Sequence, residues 1–553
     1  MKRIFLGILV LLALASVGTV LSLPEARSPV PILYWVTDPN PARLEQIRLF
    51  HQWLIRNGHT QEVVLQTQED VEAFRARPWP EALVQALEDT QPEAAQLLKG
   101  QAASLPMTVQ LPVCLLRLDT ANRDVSKQII QGVSGVAGDI MDITWGAGMQ
   151  QFHAIGLLRD VTEPAKQLGF DPSKTYPAIE PEITLDGRQY MFPCNVTAPQ
   201  YWVNVEVFER FSQPLPPKRW TFDEFEQRGR AFVEAANQGL SHQQHFFAAS
   251  VDRRVMHRSL VLDVFNETLT RCTLDDPRYA EVLERIYRWT YEDHLLPSAA
   301  ELASFATEAG YGGASAQLFA SGHVAMMISG RYMLIQFREF SRLRIEQGQP
   351  PLKLTVVELP HGGFPNGVIG TRAAAVYAGS RHPELAQLFL AYLASEPYNM
   401  QIVHDADALP PNPIYTTHED FVRPPQWPNE WGSHEPFAEA AQTIAIASSN
   451  SPFVLSATVT RIDQEEYDAF MNNIKSASAA GRDAAARINA EIQRTLKEDP
   501  SLQQRYEEAL ALQERIDAYR QAGRPIPLDW IQNPFHRRYY QAMGWVEQPA
   551  GGE

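Results

Sequence analysis

Three short stretches of this 553-residue chain carry residues that could do chemistry of one kind. Trp35, Thr37 and Asp38 close the apolar run that starts at Ile32. Trp145 follows the run Asp139 to Thr144, with Gly146 and Gly148 beyond it. Arg331 and Tyr332 follow Val324 to Ile328. Aromatic faces stack on the C–H faces of sugar rings, while Asp, Thr and Arg side chains bond to their hydroxyl groups. Glycine lets backbone approach a ligand closely. The same residue types also close strands by plain packing, so the pattern alone leaves both readings open.

Bond-making chemistry has less to stand on. Gly132-Val133-Ser134-Gly135-Val136 breaks the Gly-x-Ser-x-Gly elbow at its last position. No Gly-Lys dipeptide occurs, so there is no Walker A loop. Gly132, Gly135 and Gly138 have the wrong spacing for a dinucleotide turn. Asp139 and Asp142 stand three apart on an expected strand and point to opposite faces. His242 and His245 could share a helix face, but no third metal ligand accompanies them. No catalytic residue, cofactor or metal is expected.

The elements that must hold these residues alternate. Strands are expected at Ile32–Trp35, Val113–Leu118, Asp139–Thr144, Val324–Ile328, Leu354–Val357 and Val368–Ala378. Helices are expected after Asn40-Pro41, over Asp124–Gln131, from Gln151, after the capping box Thr221-x-x-Glu224, after Asp276-Pro277 and over Pro383–Ala394. Such alternation marks an α/β protein, in which ligands bind outside the carboxyl ends of the strands. The stretch Val63 to Leu105, rich in Gln, Glu, Ala and Pro, is expected to be a helical insertion. Asp405 to Ser433 reads as a long loop. Helices are expected again over Ala477–Lys497 and Leu502–Ala522.

Lys and Arg number 48 against 65 Asp and Glu, a formal charge of −17. Nucleic acid and anionic lipid surfaces need clustered basic residues, so neither is an expected partner. Residues 1–27 hold MKR and the apolar run Ile4 to Leu23, expected to be an export signal or a membrane anchor. Membrane contact is expected through that segment alone. Cys114, Cys194 and Cys272 form no spaced framework and read as small buried residues.

Five stretches, in order, resemble one family: "YWVTDPNPAR", "NRDVSKQIIQGVSGVAGDIMDI", "DGRQYMFPCNVTAPQYWVNVEVFERF" with "PPKRWTFDEF", "AQLFASGHVAMMISGRYM" and "GTRAAAVYAGSRHPELAQLFLAYLAS". They are similar to the extracellular solute-binding proteins of family 1, the carbohydrate-binding class that includes the maltose-binding protein. The resemblance implies an α/β, two-lobed type II periplasmic-binding-protein fold with a hinge, a helical insertion and a C-terminal helical extension. It implies lobe 1 over 28–196 with the insertion at about 63–105, and lobe 2 over 197–360. A return to lobe 1 would follow over 361–400, mostly lobe 2 and closing helices over 401–497, and the extension over 498–553. It implies three crossings between the lobes, near Pro193–Pro199, Pro360–Pro365 and Pro397–Leu409. By matching position, ligand contacts would come from Asp38, Trp145, Asn195, Thr197, Arg331 and Tyr332, with Thr371 and Arg372 near the second crossing; Trp35 joins them from the strand-exit pattern. The implied function is capture of a sugar or oligosaccharide by hinge closure and delivery to ATP-driven permease subunits, by a periplasmic or membrane-tethered monomer. The aromatic that the family carries in its final lobe segment has no evident counterpart around Ser449 to Val459, which speaks against a maltodextrin-length ligand. Three alternatives stand beside this reading: a binder of a peptide, polyamine or osmolyte on the same fold; an enzyme on that scaffold, for which Cys194 is the nearby thiol; and a helix-anchored scaffold without a ligand, whose insertion and tail bind a partner.

Overall fold

The computed structural model describes residues 29–547, apart from 103, 147 and 306–312. The run Ile4 to Leu23 lies outside the described residues. Among those described, no helix is long and apolar enough to cross a membrane. The chain divides into two compact units, Met1–Thr120 and Ala121–Glu553.

The first unit runs β1 (Ile32–Val36), α1 (Ala42–Arg56), β2 (Thr60–Leu65), α2 (Gln68–Arg75), α3 (Glu81–Thr90), α4 (Pro92–Leu98), β3 (Met107–Pro112) and β4 (Leu115–Asp119). β1 lies parallel to β4, with Ile32 opposite Leu115 and Val36 opposite Asp119. β2 and β3 pair antiparallel along their whole length, from Thr60 opposite Pro112 to Leu65 opposite Met107. The expected insertion is therefore not helical from Val63: its first residues are strand, and the helices fill the space between two strand partners. The partner strand lies beyond three helices in sequence, so local composition could not announce the pairing. The helices bury Phe74, Leu83, Leu87 and Leu97 with Val109 and Leu111 in a core of their own.

The second unit begins with α5 (Val125–Val133), β5 (Ile140–Thr144) and α6 (Met149–Ala154). It continues through β6 (Met191–Thr197), β7 (Gln200–Asn204), α7 (Phe222–Ala236), β8 (Phe246–Ala248), α8 (Arg253–Ser259), α9 (Pro277–Tyr291), β9 (Val324–Ser329), α10 (Leu334–Glu346), β10 (Leu354–Val357) and β11 (Gly370–Val376). Here β11 is flanked antiparallel by β5 and β6. A separate four-stranded sheet has the order β8-β9-β7-β10. The chain passes from the first of these sheets to the second between β6 and β7, and returns between β10 and β11. A third segment joins there, since Val196 and Leu409 exchange backbone hydrogen bonds of 3.0 and 2.8 Å. Capping chemistry follows the sequence. Asp124 accepts the amides of Ser126 and Lys127 at the start of α5, and Thr221 with Glu224 forms the capping box of α7. Tyr201, Val203, Phe225, Phe247 and Trp289 pack beside the four-stranded sheet.

Beyond β11 come α11 (Pro383–Ala394), α12 (Glu396–Asp405), α13 (Ser456–Met471), α14 (Ala477–Glu498), α15 (Gln503–Gln521) and α16 (Pro534–Ala542). The loop expected over Asp405 to Ser433 contains short helical turns at Pro413–Thr417, Glu419–Val422 and Pro428–Glu430. His242 and His245 share no helix: they lie after α7, where the His245 ring stacks on His323 and its Nδ1 lies 2.9 Å from the Gly322 carbonyl. All three cysteines are free and buried.

Candidate functional site

The end of β5 is built to hold one aromatic ring out of the sheet. Trp145 and Gly146 both take left-handed backbone conformations, with φ of 59° and 60°. For a bulky residue this conformation is costly and must be held by its surroundings. The Trp145 amide donates to the Thr371 carbonyl at 2.7 Å. Its indole lies over Gly370, where a Cβ would come within 2.0 Å of Cε3. Any side chain at position 370 would displace the ring.

The indole also meets Arg254, whose guanidinium carbon is 5.5 Å from the ring centroid. Arg254 lies in the first turn of α8 with its side chain 46% exposed; Asp252 caps that helix by accepting the amides of Arg254 and Val255. A cation over an indole face is favourable, more so as water is excluded. Beneath the loop lies Glu182, which is buried and accepts the Thr371 amide at 2.9 Å. Burial pushes this carboxyl up to about 8, against the opposing pull of the Thr371 amide and Arg254.

Trp145 and Arg254 line a cavity of about 210 Å³. Its other walls are Arg258, Asp263, Phe265 and the hydroxyl- and amide-rich run Ser448 to Ser451. Ser456 and Thr460 line both this cavity and a larger cleft of about 840 Å³. The cleft lies between β5, α5 and α6 on one side and α13 on the other. Arg123, Asp142, Thr144, Gln150 and Gln151 face Arg461, Gln464, Glu465 and Asp468 across it. The Gln150 amide reaches the Asn450 carbonyl at 3.5 Å. The lining is dense in donors and acceptors and has one aromatic platform, which suits a polyhydroxylated ligand.

The structure gathers part of the expected set. Thr371 donates its hydroxyl proton to the Asn195 carbonyl at 2.7 Å, and Gly370 pairs with Thr197 across the sheet. A Cβ at Gly330 would come within 2.3 Å of Thr197 Oγ1 and 2.6 Å of the Tyr332 ring, so Thr197 and Tyr332 both pack against that glycine. Trp145, Thr371, Asn195, Thr197 and Tyr332 thus form one connected chain of contacts.

Other members are placed differently. Arg331 is 1% exposed and faces the interior. It donates to the carbonyls of Ile402, Val403 and Ala408 and to His434 Nδ1, and it lies 4.6 Å from the Phe421 ring centroid. Burial, with Arg338 nearby, draws its pKa down to about 9. It is a strut, not a group open to a ligand. Arg372 is likewise buried, its Nη1 bonded to Asp142 and its Nη2 3.7 Å from Asp407. In the first unit Trp35 is wholly buried, with Arg43 5.9 Å from its ring, so it packs rather than faces outward. Asp38 is one-third exposed and pairs with Arg43 at 2.7 Å. Cys194 is buried, its thiol 3.6 Å from Asp142 Oδ1.

Sequence reasoning missed Arg254, Glu182, Gly370 and the Ser448–Ser451 wall. The serine-rich run was the one legible signal among them. The others acquire their roles only through contacts between distant segments.

Residues 119–429, more than half of the chain, match the family model described as bacterial extracellular solute-binding protein. The chain belongs to the bacterial extracellular solute-binding proteins. Membership implies an extracytoplasmic working place. Solved structures agree on the fold. The substrate-binding protein Lmo0181 of Listeria monocytogenes, in complex with cycloalternan, is 16% identical; the match covers 84% of this chain and 99% of that one, with a TM-score of 0.61. A solute-binding protein of Thermotoga lettingae, bound with α-D-tagatose, is 14% identical over 84% and 100% of the two chains, with a TM-score of 0.57. The sugar-binding protein MalE of Xanthomonas citri is 13% identical over 85% and 99%, also with a TM-score of 0.57. At these identities the likeness shows the fold, which is the α/β two-lobed periplasmic-binding-protein architecture. No curated protein matches the sequence.

Proposed function

We propose that this solute-binding protein captures a carbohydrate against Trp145 and delivers it to the membrane permease of an ATP-driven importer. The observation that carries the reading is the indole held on the wall of a cavity that Ser448 to Ser451 also line, with Arg254 beside it. A sugar ring would take the place of the Arg254 guanidinium on the indole face. Its hydroxyls would bond to the serines, to Asn450 and to the displaced guanidinium. Asn195, Thr197, Thr371 and Tyr332 lie along the crossing between the two sheets of the second unit. Ligand held there biases the hinge toward the closed form, which is what a permease would recognise. No bond is made or broken. The carbohydrate ligands of the structurally similar proteins support the choice of solute.

A thermal-shift panel tests this directly. It contains tagatose, maltotetraose and cycloalternan, with spermidine, glycine betaine and a tripeptide as the other classes. Ligand at 100 times its Kd adds about 2.7 kcal/mol to stability. At least one sugar is expected to raise Tm in a concentration-dependent way while the other solutes do not. A shift given by a non-sugar and by none of the sugars would contradict the reading.

A further inference from the structure

One wall of the cavity that Trp145 lines is not self-supporting. Its residues Arg258, Asp263, Phe265 and Ser449 all lead to one side chain that does not itself line the cavity, Asn533, at the start of α16. Asn533 is fully buried. Its Nδ2 donates to Asp263 Oδ2 at 2.9 Å and to the Phe265 carbonyl at 2.8 Å. Its Oδ1 accepts the Ser449 hydroxyl at 2.9 Å and the Phe535 amide at 2.9 Å. Arg258, paired with Asp263 at 3.0 Å, also donates to Ser449 Oγ, and lies 5.6 Å from the Phe535 ring centroid. The next residues of the extension thus back the same wall.

We infer that the C-terminal extension is part of the ligand site, and that Asn533 is the positioning residue that fixes the Ser448–Ser451 wall. This rests on the carbohydrate reading above. A helix cap alone needs one acceptor, which Ser, Thr or Asp supplies equally well. Asn533 uses both donors and its acceptor on three different segments, and only an amide can do so. An aspartate there would set a second carboxylate against Asp263; a serine would be too short to span the gap. The extension is also docked without this side chain. The amides of Gln532 and Asn533 both donate to the Glu267 carbonyl at 2.9 Å, and Tyr540 and Arg520 bond to the Glu267 carboxylate. Substitution at Asn533 should therefore loosen the wall without releasing α16.

The test uses the full chain and compares Asn533→Ser, which keeps the cap, with Asn533→Ala, which does not. Tagatose, maltotetraose and cycloalternan are titrated by calorimetry, and deuterium uptake is followed in the peptide covering 444–452 and in that covering β5. Both variants are expected to lose tenfold or more in affinity for whichever sugar the wild type binds. Uptake should quicken over 444–452 and not in β5. Wild-type affinity and uptake in Asn533→Ser would reduce the residue to a cap and overturn the inference. Should the wild type bind none of the three sugars, the carbohydrate reading fails. Uptake alone then decides whether Asn533 fixes this wall: faster exchange confined to 444–452 in Asn533→Ser supports it, and unchanged exchange refutes it.

Discussion

Trp145→Ala is expected to weaken sugar binding by about 30-fold or more, because a central aromatic platform is typically worth about 2 kcal/mol or more at a binding site. The ring is held for this task. The loop is in a left-handed conformation, its amide is tied to Thr371, and Gly370 leaves room for the indole. None of these constraints supplies affinity by itself; they fix the ring so that little entropy is lost when a sugar stacks on it. Trp145→Phe keeps a face and should retain much of the binding. Gly370→Ala should lose it by pushing the ring aside, with Trp145 itself intact. Calorimetric titration of the three variants separates the ring from its support. Unchanged affinity in Trp145→Ala would remove the platform from the account.

The second large effect concerns pH. Glu182 is raised from an ordinary value of 4.5 to about 8 by burial. Between these values the native protein keeps a proton that the unfolded chain has released. Its contribution to stability is therefore fully present below about pH 4.5, declines as pH rises, and is gone once pH passes about 8. The decline approaches about 1.4 kcal/mol per pH unit for one such group. Glu182→Gln keeps an oxygen for the Thr371 amide and cannot ionise. Its unfolding free energy is expected to be flatter across this window, and at pH 8.5 the variant should be the more stable protein by more than 1 kcal/mol. Denaturant unfolding at several pH values reads this. Parallel pH profiles for the two proteins would show that Glu182 does not hold its proton. Because Glu182 underlies the Trp145 loop, sugar affinity in the wild type should also fall above pH 8.

How much of this was legible depended on how local each signal was. Trp145 stood out because an aromatic between a β-branched run and two glycines is a local pattern. The capping box of Thr221 and Glu224 and the Asp276-Pro277 helix start did so for the same reason. Trp35 was misplaced although a local signal existed. Leu33 and Trp35 share one strand face and are both buried, while Tyr34 between them is exposed. Period-two reading would have set Trp35 inside. Arg331 carried no such warning. Its partners are carbonyls around the end of α12, and an arginine after a strand looks the same in sequence whether it meets a ligand or those carbonyls. Arg254 sits in an ordinary polar helix start and becomes part of the site only because α8 brings it over the indole. The docking of the extension was equally hidden, because its partners Asp263, Glu267, Ser449 and Phe364 all lie far from it in sequence.

The most direct measurement is a crystal structure of the protein with the sugar that stabilises it most. A pyranose or furanose ring should lie roughly 4 Å from the Trp145 indole, with Arg254 moved off the face and the ligand's hydroxyls bonded within the Ser448 to Ser451 run. A sugar bound elsewhere, with Arg254 still over an untouched Trp145, would contradict the account.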